Sequence, residues 1–263
     1  MITILGDRGF VGFSLKKRFG QLGKECCGLS RPSFDLIDIS TYTKIPQKTK
    51  IVIHAAGISG TGFSSESYWR ESVQSTYELI DFLNRERQLD LFMYASSGAV
   101  YKPSNTVLNE KSRLKPENLY GLSRLLSENI ITTLANSPTV IMRLFFPFGP
   151  GQKSPRLIQE LARKITEKES IILNNELGLP KINPIFIDDL VDQIIEIIEK
   201  PDAAVVNLGG SEVVSIRHLA EIIGEALKIQ PIFKVEKKNT LNLFCEPFRP
   251  NSKTLLERLK EFL

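Results

Sequence analysis

A tyrosine and an arginine one helical turn apart are the residues of this sequence whose types and spacing first suggest chemistry. Tyr120 and Arg124 lie in the run Tyr-Gly-Leu-Ser-Arg, and a spacing of four places both on one face of a helix. A phenol ionises near a pH of about 10, so acid or base work near neutrality requires a close positive charge. We expect Arg124 to supply that charge to Tyr120.

Two serines follow a predicted strand at 91–95 and offer hydroxyl groups to the same chemistry. Ser96 and Ser97 come at the carboxyl end of that strand, where ligands bind in open α/β sheets. A hydroxyl in this place can share a proton with a carbonyl or alkoxide while the tyrosine transfers it. Each serine is also compatible with a helix cap or a turn.

Three glycines spaced by three stand between a predicted strand at 2–5 and a predicted helix at 13–22. Gly6, Gly9 and Gly12 would permit a tight turn, a close backbone approach to a pyrophosphate and close packing of the helix, whose N-terminus would face the anion. The pattern predicts a dinucleotide site. A purely structural glycine turn is the alternative.

The end of the second predicted strand, at 26–29, indicates which dinucleotide would bind. An acidic residue there would bind the ribose hydroxyls, but this sequence has Ser30 and Arg31, and Arg8 in the glycine turn adds a second cation. We therefore expect NADP(H) to be favoured over NAD(H). The alternative is that Ser30 and Arg31 are solvated loop residues.

The elements that would position these residues alternate between strand and helix. Apolar runs predict further strands at 51–55, 91–95 and 139–144, and such alternation is typical of an α/β fold with a doubly wound parallel sheet of Rossmann type. We predict an NAD(P)-binding domain at 1–150, completed by parts of 180–210, and a small interleaved C-terminal substrate-binding region at 151–263. In the later half we expect helices at 154–167, 188–199, 215–228 and 252–262. Strands are expected at 171–173, 184–187 and 205–208.

The composition excludes several classes of protein. The 263 residues carry 34 Lys and Arg against 30 Asp and Glu, and this small, scattered charge of +4 does not indicate a nucleic acid partner. No long apolar run predicts a membrane span or a signal peptide. Of the three cysteines, Cys26 and Cys27 are adjacent and Cys245 is distant, and the two histidines are widely separated, so these residues give no metal spacing. We expect a cytoplasmic protein without a metal.

Six ordered motifs resemble the extended short-chain dehydrogenase/reductase family, of the NAD-dependent epimerase/dehydratase type that modifies nucleotide sugars. They are the glycine turn, His-Ala-Ala-Gly at 54–57, Ser-Ser-Gly-Ala-Val-Tyr at 96–101, the Tyr120 motif, Arg143 with Phe-Gly-Pro-Gly at 148–151, and Ile-Phe-Ile-Asp-Asp-Leu at 185–190.

The resemblance implies a role for individual residues. Tyr120 would be the acid/base, Ser97 its hydroxyl partner, and Arg124 would stand in the place of a lysine that contacts the nicotinamide ribose. Asp38 and Ile39 resemble the pair that contacts adenine. The residues implied to line the dinucleotide are Gly6, Arg8, Gly9, Phe10, Val11, Gly12, Ser30, Arg31, Ala55, Ala56, Gly57, Tyr120 and Arg124.

Departures from the family pattern bear on the reaction. The family lysine is Arg124 here, and two family asparagines are Ser72 and Phe146. Gly98 and Ala99 replace the Asp-Glu pair of the dehydratases, so we set dehydration aside. An NADPH-dependent reduction of a 4-keto nucleotide sugar is favoured, because the glycine turn resembles that of GDP-fucose synthase and related reductases. A 4-epimerase holding NAD tightly and a catalytically weakened dinucleotide-binding protein are the alternatives.

Binding of a nucleotide-sugar substrate would require cations and backbone donors. Lys153 and Arg156 near a predicted helix start are candidates, as is Arg249 by its resemblance to a family arginine that holds pyrophosphate; Ser97 and Phe146 would also contact the substrate. Asp188 and Asp189 suit a helix start rather than catalysis.

The remaining expectations concern a histidine, a loop and the assembly. His54, at the end of a buried strand, is expected to be a packed residue rather than a proton donor. The Gly- and Ser-rich stretch 57–69 is predicted to be a mobile loop. The family implies a homodimer through helices near 67–85 and 120–135.

Overall fold

The computed structural model describes residues 1–58, 60, 62–152 and 156–263. The chain forms two compact units that alternate along the sequence. The first comprises Met1–Lys102, Ser112–Leu144 and Ile194–Val206, and the second Pro103–Lys111, Phe145–Gln193 and Asn207–Leu263. The segments 103–111 and 145–150 thus fall in the second unit, although they precede the domain boundary expected at residue 150.

The first unit is built on a six-stranded parallel sheet with the strand order β2-β1-β3-β4-β5-β10. Its strands are β1 (Ile2–Leu5), β2 (Cys26–Leu29), β3 (Ile51–His54), β4 (Leu91–Ser97), β5 (Thr139–Leu144) and β10 (Val205–Leu208). Its helices include α1 (Phe10–Gln21), α2 (Ser65–Tyr68), α3 (Ser75–Glu86) and α4 (Leu119–Leu134), with short 3-10 turns at Ile39–Lys44 and Gly98–Val100.

The chain reverses its winding between β1 and β3, which are neighbours at the centre of the sheet. The first crossover runs from β1 outward to β2, whereas the later strands build on the other side of β1. In open α/β sheets a ligand binds at such a switch point, outside the carboxyl ends of the strands. The glycine turn follows β1 and the residues 55–57 follow β3, so both lie at this point.

The central strands are fully buried, which explains their continuous apolar sequence. Ile4, Val52, Ile53, Phe92 and Met93 have no exposed surface. Strands that are covered on both faces need apolar side chains at every position rather than at alternate ones. This is why the sequence predicted the three central strands, β1, β3 and β4, within two residues of their observed bounds.

The predicted helix at 13–22 begins earlier, at Phe10, since Gly9 already has the extended conformation of an N-cap and the helix follows it directly. The predicted loop at 57–69 is shorter than expected. The Ser64 hydroxyl accepts a hydrogen bond from the Ser67 backbone N–H and so begins α2 inside it. A π-helical turn, Trp69–Gln74, then joins α2 to α3.

The described part of the second unit contains three two-stranded sheets and four helices, the second of which continues into the first unit. Its elements are β6 (Pro147–Phe148), α5 (Leu157–Thr166), β7 (Ser170–Leu173), β8 (Lys181–Ile182), β9 (Ile185–Phe186), α6 (Ile187–Glu199), β11 (Val214–Ser215), α7 (Ile216–Leu227), β12 (Ile232–Val235) and α8 (Leu255–Phe262). The strands pair as β6 with β9, β8 with β11 and β7 with β12. The predicted final helix at 252–262 begins later, because Thr254 and Glu257 form a capping box.

Buried polar side chains connect the elements of the second unit. The Asn183 side chain donates to the carbonyl oxygens of Gly210 (2.9 Å) and Cys245 (3.0 Å). Asp189 at the start of α6 accepts hydrogen bonds from Arg258 of α8 (2.6 Å) and from Ser252 (2.8 Å). Asp189 therefore anchors the last helix.

The described residues contain neither a membrane-spanning helix nor a metal-binding cluster. None of the helices there combines the length and the apolar character that crossing a bilayer requires. The same residues contain no group of three or more His, Cys, Asp or Glu arranged to hold a metal ion.

Candidate active site

The glycine turn after β1 is packed too closely for side chains. Gly6 has a φ of +89°, and a Cβ there would lie 2.8 Å from the Ala56 backbone. A Cβ on Gly12 would lie 2.2 Å from the carbonyl oxygen of Gly6. A dinucleotide pyrophosphate needs such a bare backbone at the N-terminus of a helix, so this turn fits the cofactor expected from the sequence.

A hydrogen-bonded chain joins the glycine turn to the end of β2. The Ser30 hydroxyl donates to Asp7 (2.6 Å) and accepts from the Arg8 backbone N–H (3.2 Å), while the Arg8 guanidinium donates to the Arg31 carbonyl (3.0 Å). Lys16 also donates to Asp7 (2.6 Å). Although burial alone would raise the pKa of Asp7, these hydrogen bonds from Lys16 and Ser30 lower it below its ordinary value. The glycine turn thus brings the carboxylate of Asp7 beside the end of β2, although the sequence of β2 itself contains no acidic residue there.

A cavity of about 190 Å³ opens beside this chain at the carboxyl ends of β1, β2 and β3. The glycine turn forms part of its wall. Its lining consists of Gly6, Gly9, Leu29, Ser30, Arg31, Phe34, Asp35, Leu36, Ile37, Ala55, Ala56, Gly57 and Glu71. Seven of the expected cofactor residues are therefore brought together.

The expected adenine pair lies elsewhere. The Asp38 carboxylate accepts from the Ser40 backbone N–H (3.1 Å) and caps the 3-10 turn, and Ile39 is half exposed outside the cavity lining. Asp35 and Leu36, three residues earlier, line the cavity instead. The run Asp-Leu-Ile-Asp-Ile at 35–39 contains two acidic residues, each followed by an apolar one. Only the path of the loop determines which of these two pairs lines the cavity.

Arg124 is buried beneath the phenol that it was expected to serve. Tyr120 and Arg124 lie on the first turns of α4, whose N-cap Asn118 accepts from the Gly121 backbone N–H (2.8 Å). The Arg124 guanidinium carbon lies 5.3 Å from the centre of the Tyr120 ring, and the side chain is 5% exposed. A cation over an aromatic face at this distance is attracted to it. The pairing expected from the four-residue spacing is present.

The other contacts of Arg124 were not foreseen from the sequence. Its guanidinium donates to the Tyr94 hydroxyl (2.9 Å) and to the carbonyl oxygen of Ile58. No carboxylate lies within ion-pair distance of it among the residues described. Nearby, burial together with the charge of Arg124 lowers the pKa of His54 to about 3, so this histidine is neutral near pH 7. His54 is a packed residue, with its ring 5.2 Å from that of Tyr94.

The two serines at the end of β4 have different partners. Ser96 is buried and donates to the Glu128 carboxylate, which also binds Arg143 (2.7 Å). Ser97 is half-buried, and its hydroxyl oxygen accepts from the Ala99 backbone N–H (3.2 Å). Within the described part of the chain, nothing takes up the Ser97 hydroxyl proton, so it is available to a ligand.

Helix α4 packs tightly on the turn that follows Ser97. A Cβ on Gly121 would lie 2.2 Å from the carbonyl oxygen of Ala99. Only glycine permits this approach, which brings the start of α4, with Tyr120, next to the end of β4. Tyr120, Ser97 and the buried Arg124 therefore share one region of the first unit.

Of the expected substrate residues, Ser97 belongs to the first unit, and Phe146, Arg156 and Arg249 belong to the second. Phe146 has a φ of +47° and is half-buried, and Arg156 precedes α5, where its backbone N–H donates to the Gln159 side chain (2.9 Å). Arg249 is half-buried in the segment before α8. Lys153 lies outside the described residues. Their roles toward a substrate stay predictions.

Comparisons with known proteins identify the family. The model of the NAD dependent epimerase/dehydratase family matches residues 2–209. An uncharacterized UDP-glucose epimerase of Bacillus subtilis is 25% identical over 182 residues, which are 66% of this chain and 57% of that protein. A dTDP-4-dehydro-6-deoxyglucose reductase of Escherichia coli is 26% identical over 221 residues, 80% of this chain and 67% of that protein.

Solved structures agree in fold. The UDP-glucuronic acid 4-epimerase of Bacillus cereus, in complex with UDP-glucuronic acid and NAD, superposes with a TM-score of 0.84 at 19% identity, covering 98% of this chain and 96% of that one. A UDP-N-acetylglucosamine 4-epimerase of Methanobrevibacter ruminantium reaches 0.85 at 18% identity, with 99% and 96% covered. The parallel sheet is thus of Rossmann type, and with the family match over most of its length the chain belongs to the NAD-dependent epimerase/dehydratase family.

Proposed function

We propose that this protein is an NADPH-dependent reductase that acts on the 4-keto group of a nucleotide sugar. The observation that carries the proposal is the cluster of Tyr120, the buried Arg124 and the half-buried Ser97, in the same unit as the dinucleotide cavity. Two relatives are reductases by name, the Escherichia coli protein and a GDP-6-deoxy-D-mannose reductase of Pseudomonas aeruginosa, 25% identical over 245 residues (87% of this chain and 81% of that protein).

Each residue has a separate part in the reduction. The hydride that converts the carbonyl carbon to a carbinol would come from a reduced nicotinamide held at the glycine turn. Tyr120 donates its hydroxyl proton to the carbonyl oxygen, and Ser97 donates a hydrogen bond to that oxygen while its charge develops. Arg124 stabilises the phenolate left on Tyr120, because its charge is desolvated and permanent. A proton from solvent then restores Tyr120.

The test is turnover of a 4-keto nucleotide sugar by Tyr120→Phe. We expect kcat to fall at least about 100-fold, because the proton donor is lost, while the affinity for NADPH is retained. Tyr77→Phe, which changes an exposed phenol on α3, is the matched control and should keep full activity. Equal turnover by the two variants would refute the role of Tyr120.

Our proposal for the cofactor is NADP(H), with Arg8 and Arg31 as the cations that receive the 2′-phosphate. Both guanidinium groups lie at the end of β2, and Arg31 lines the cavity. We expect NADPH to bind at least about tenfold more tightly than NADH, a difference of about 1.4 kcal/mol. Fluorescence titration of the cofactor-free protein with each dinucleotide measures this ratio.

A 4-epimerase is the second candidate. It is favoured by the three carboxylates near the same cavity, Asp7, Asp35 and Glu71, which suit ribose hydroxyls better than a phosphate. An epimerase returns its cofactor to the starting state, so purified protein would retain NAD⁺ and consume no NADPH. Binding without turnover of either substrate class would instead support a catalytically weakened protein.

The substrate and the assembly are also proposals. We propose that Arg156, Arg249 and Lys153 hold the diphosphate of the nucleotide sugar, so that Arg249→Ala raises the KM for the sugar nucleotide more than it lowers kcat. We propose a homodimer through α3 and α4 in the cytoplasm. Free cysteines are compatible with that compartment.

A further inference from the structure

An ion pair connects two sides of the dinucleotide cavity. Arg31 follows β2, Glu71 lies on the π-helical turn, and both line the cavity. The Arg31 Nη2 atom lies 3.1 Å from the Glu71 Oε2 atom. The Arg31 Nε atom lies 3.7 Å from the Asp35 carboxylate. The guanidinium expected to receive a 2′-phosphate is therefore already facing two carboxylates.

This arrangement makes Glu71 a competitor of the phosphate. A guanidinium binds a carboxylate and a phosphate through the same N–H groups, so a 2′-phosphate must displace Glu71 or share Arg31 with it. A phosphate dianion is also repelled by the carboxylate, whereas the neutral 2′-hydroxyl of NADH is not and can donate a hydrogen bond to it. Both effects act against NADPH.

We propose that Glu71 is a specificity-determining residue that limits the preference of the cavity for NADPH by competing with the 2′-phosphate for Arg31. The proposal rests on the assignment of Arg31 under Proposed function. It concerns the adenosine end of the dinucleotide and no step of the reaction.

Glu71 is better suited to this role than the other two carboxylates. Asp7 is compensated by Lys16 and Ser30, both at 2.6 Å. Asp35 accepts from the Ile37 backbone N–H (3.3 Å) within its own loop. Among the described residues, Glu71 is held by Arg31 alone.

The test is the ratio of the dissociation constants for NADH and NADPH, measured by fluorescence titration of the cofactor-free full chain. We expect Glu71→Gln to raise this ratio about threefold to tenfold in favour of NADPH, as the removal of one nearby charge predicts. Glu66→Gln is the matched control. It removes a carboxylate one turn earlier, paired with Arg70 (3.7 Å), and should leave the ratio within about twofold.

Arg31→Ala shows whether Glu71 acts through Arg31. In that background the additional change Glu71→Gln should alter the ratio less than about twofold. An equal ratio for Glu71→Gln and Glu66→Gln would overturn the proposal, and so would a full effect of Glu71→Gln without Arg31. Because the titration uses no sugar substrate, failure to reduce a keto sugar counts against the proposed reaction and leaves this inference standing.

Discussion

His54 shows how one buried residue can make stability depend on pH. It is 2% exposed and its pKa is lowered to about 3 from 6.5, first by burial and then by the charge of Arg124. Between these values the unfolded chain binds a proton at this residue and the folded chain does not. The free energy of unfolding therefore falls as the pH falls from 6.5 towards 3.

We expect this residue to contribute a slope of up to about 1.4 kcal/mol per pH unit in that range. In His54→Phe the slope from this residue should disappear. His218→Gln, which changes an exposed histidine on α7, should retain it. Urea unfolding at a series of pH values measures the three slopes, and identical slopes in the wild type and His54→Phe would contradict the assignment.

At the residue scale, sequence reasoning found the groups of the candidate site more readily than their partners. The spacing of Tyr120 and Arg124 predicted their pairing, since helix geometry fixes it locally. Tyr94, Asp7 and Glu71 were missed, because each meets its partner across a distance in sequence that no local spacing encodes. Asp35 lines the cavity and Asp38 does not, a difference set by the register of a single loop.

Helix α4 is joined to the sheet by a buried ion pair at the element scale. Glu128 of α4 and Arg143 of β5 are bonded at 2.7 Å, and both side chains are 5% exposed. Arg143 also donates to the Tyr101 hydroxyl (2.7 Å). Because α4 carries Tyr120, this pair also holds in place the helix on which the proposed proton donor lies.

Glu128→Gln would leave the charge of Arg143 buried without its counter-ion. We expect it to lower the free energy of unfolding by about 3–5 kcal/mol. The comparison is Asp81→Asn, which breaks an exposed pair with Arg85 (2.6 Å) on α3 and should cost less than about 1 kcal/mol. Chemical denaturation of both variants decides the point. Similar losses would mean that burial adds nothing to the Glu128 pair.

Strands with a strong apolar pattern could be predicted from the sequence, whereas most of the two-residue strands could not. The strands β1, β2, β5 and β10 have the predicted bounds. The strand β9 lies within the strand predicted at 184–187. The two-residue strands β6, β8 and β11 contain too few positions to show a period, and they form only where a partner strand is supplied by a distant segment. The π-helical turn was missed for a related reason, since its sequence differs little from that of an ordinary helix.

At the scale of the whole molecule, exposed apolar side chains on α3 and α4 mark a surface of the first unit. On α4, Leu119, Leu122 and Leu126 recur at helical spacing and are 37–49% exposed; Tyr77 of α3 is 50% exposed. Grouped apolar residues on two helices are typical of an interaction surface. They support the proposed homodimer.

We expect Leu126→Glu to shift the protein from dimer to monomer, since a charge buried in an apolar interface lacks a partner. Leu177→Glu, in an exposed loop residue of the second unit (74% exposed), should leave the assembly unchanged. Sedimentation velocity over a range of concentrations measures this. A dimer of Leu126→Glu as tight as that of the wild type would place the interface elsewhere.

The alternation of the two units along the chain has a consequence during translation. The sheet strand β10, which lies beside β5, is encoded roughly 60 residues after β5 ends. At synthesis rates of about 5–20 residues per second, β5 remains an open edge on the ribosome for roughly 3–12 s. A nascent chain paused in this interval exposes an unpaired apolar strand. Synonymous changes in the codons for residues 145–204 would therefore alter the translation speed where it affects the yield of folded protein.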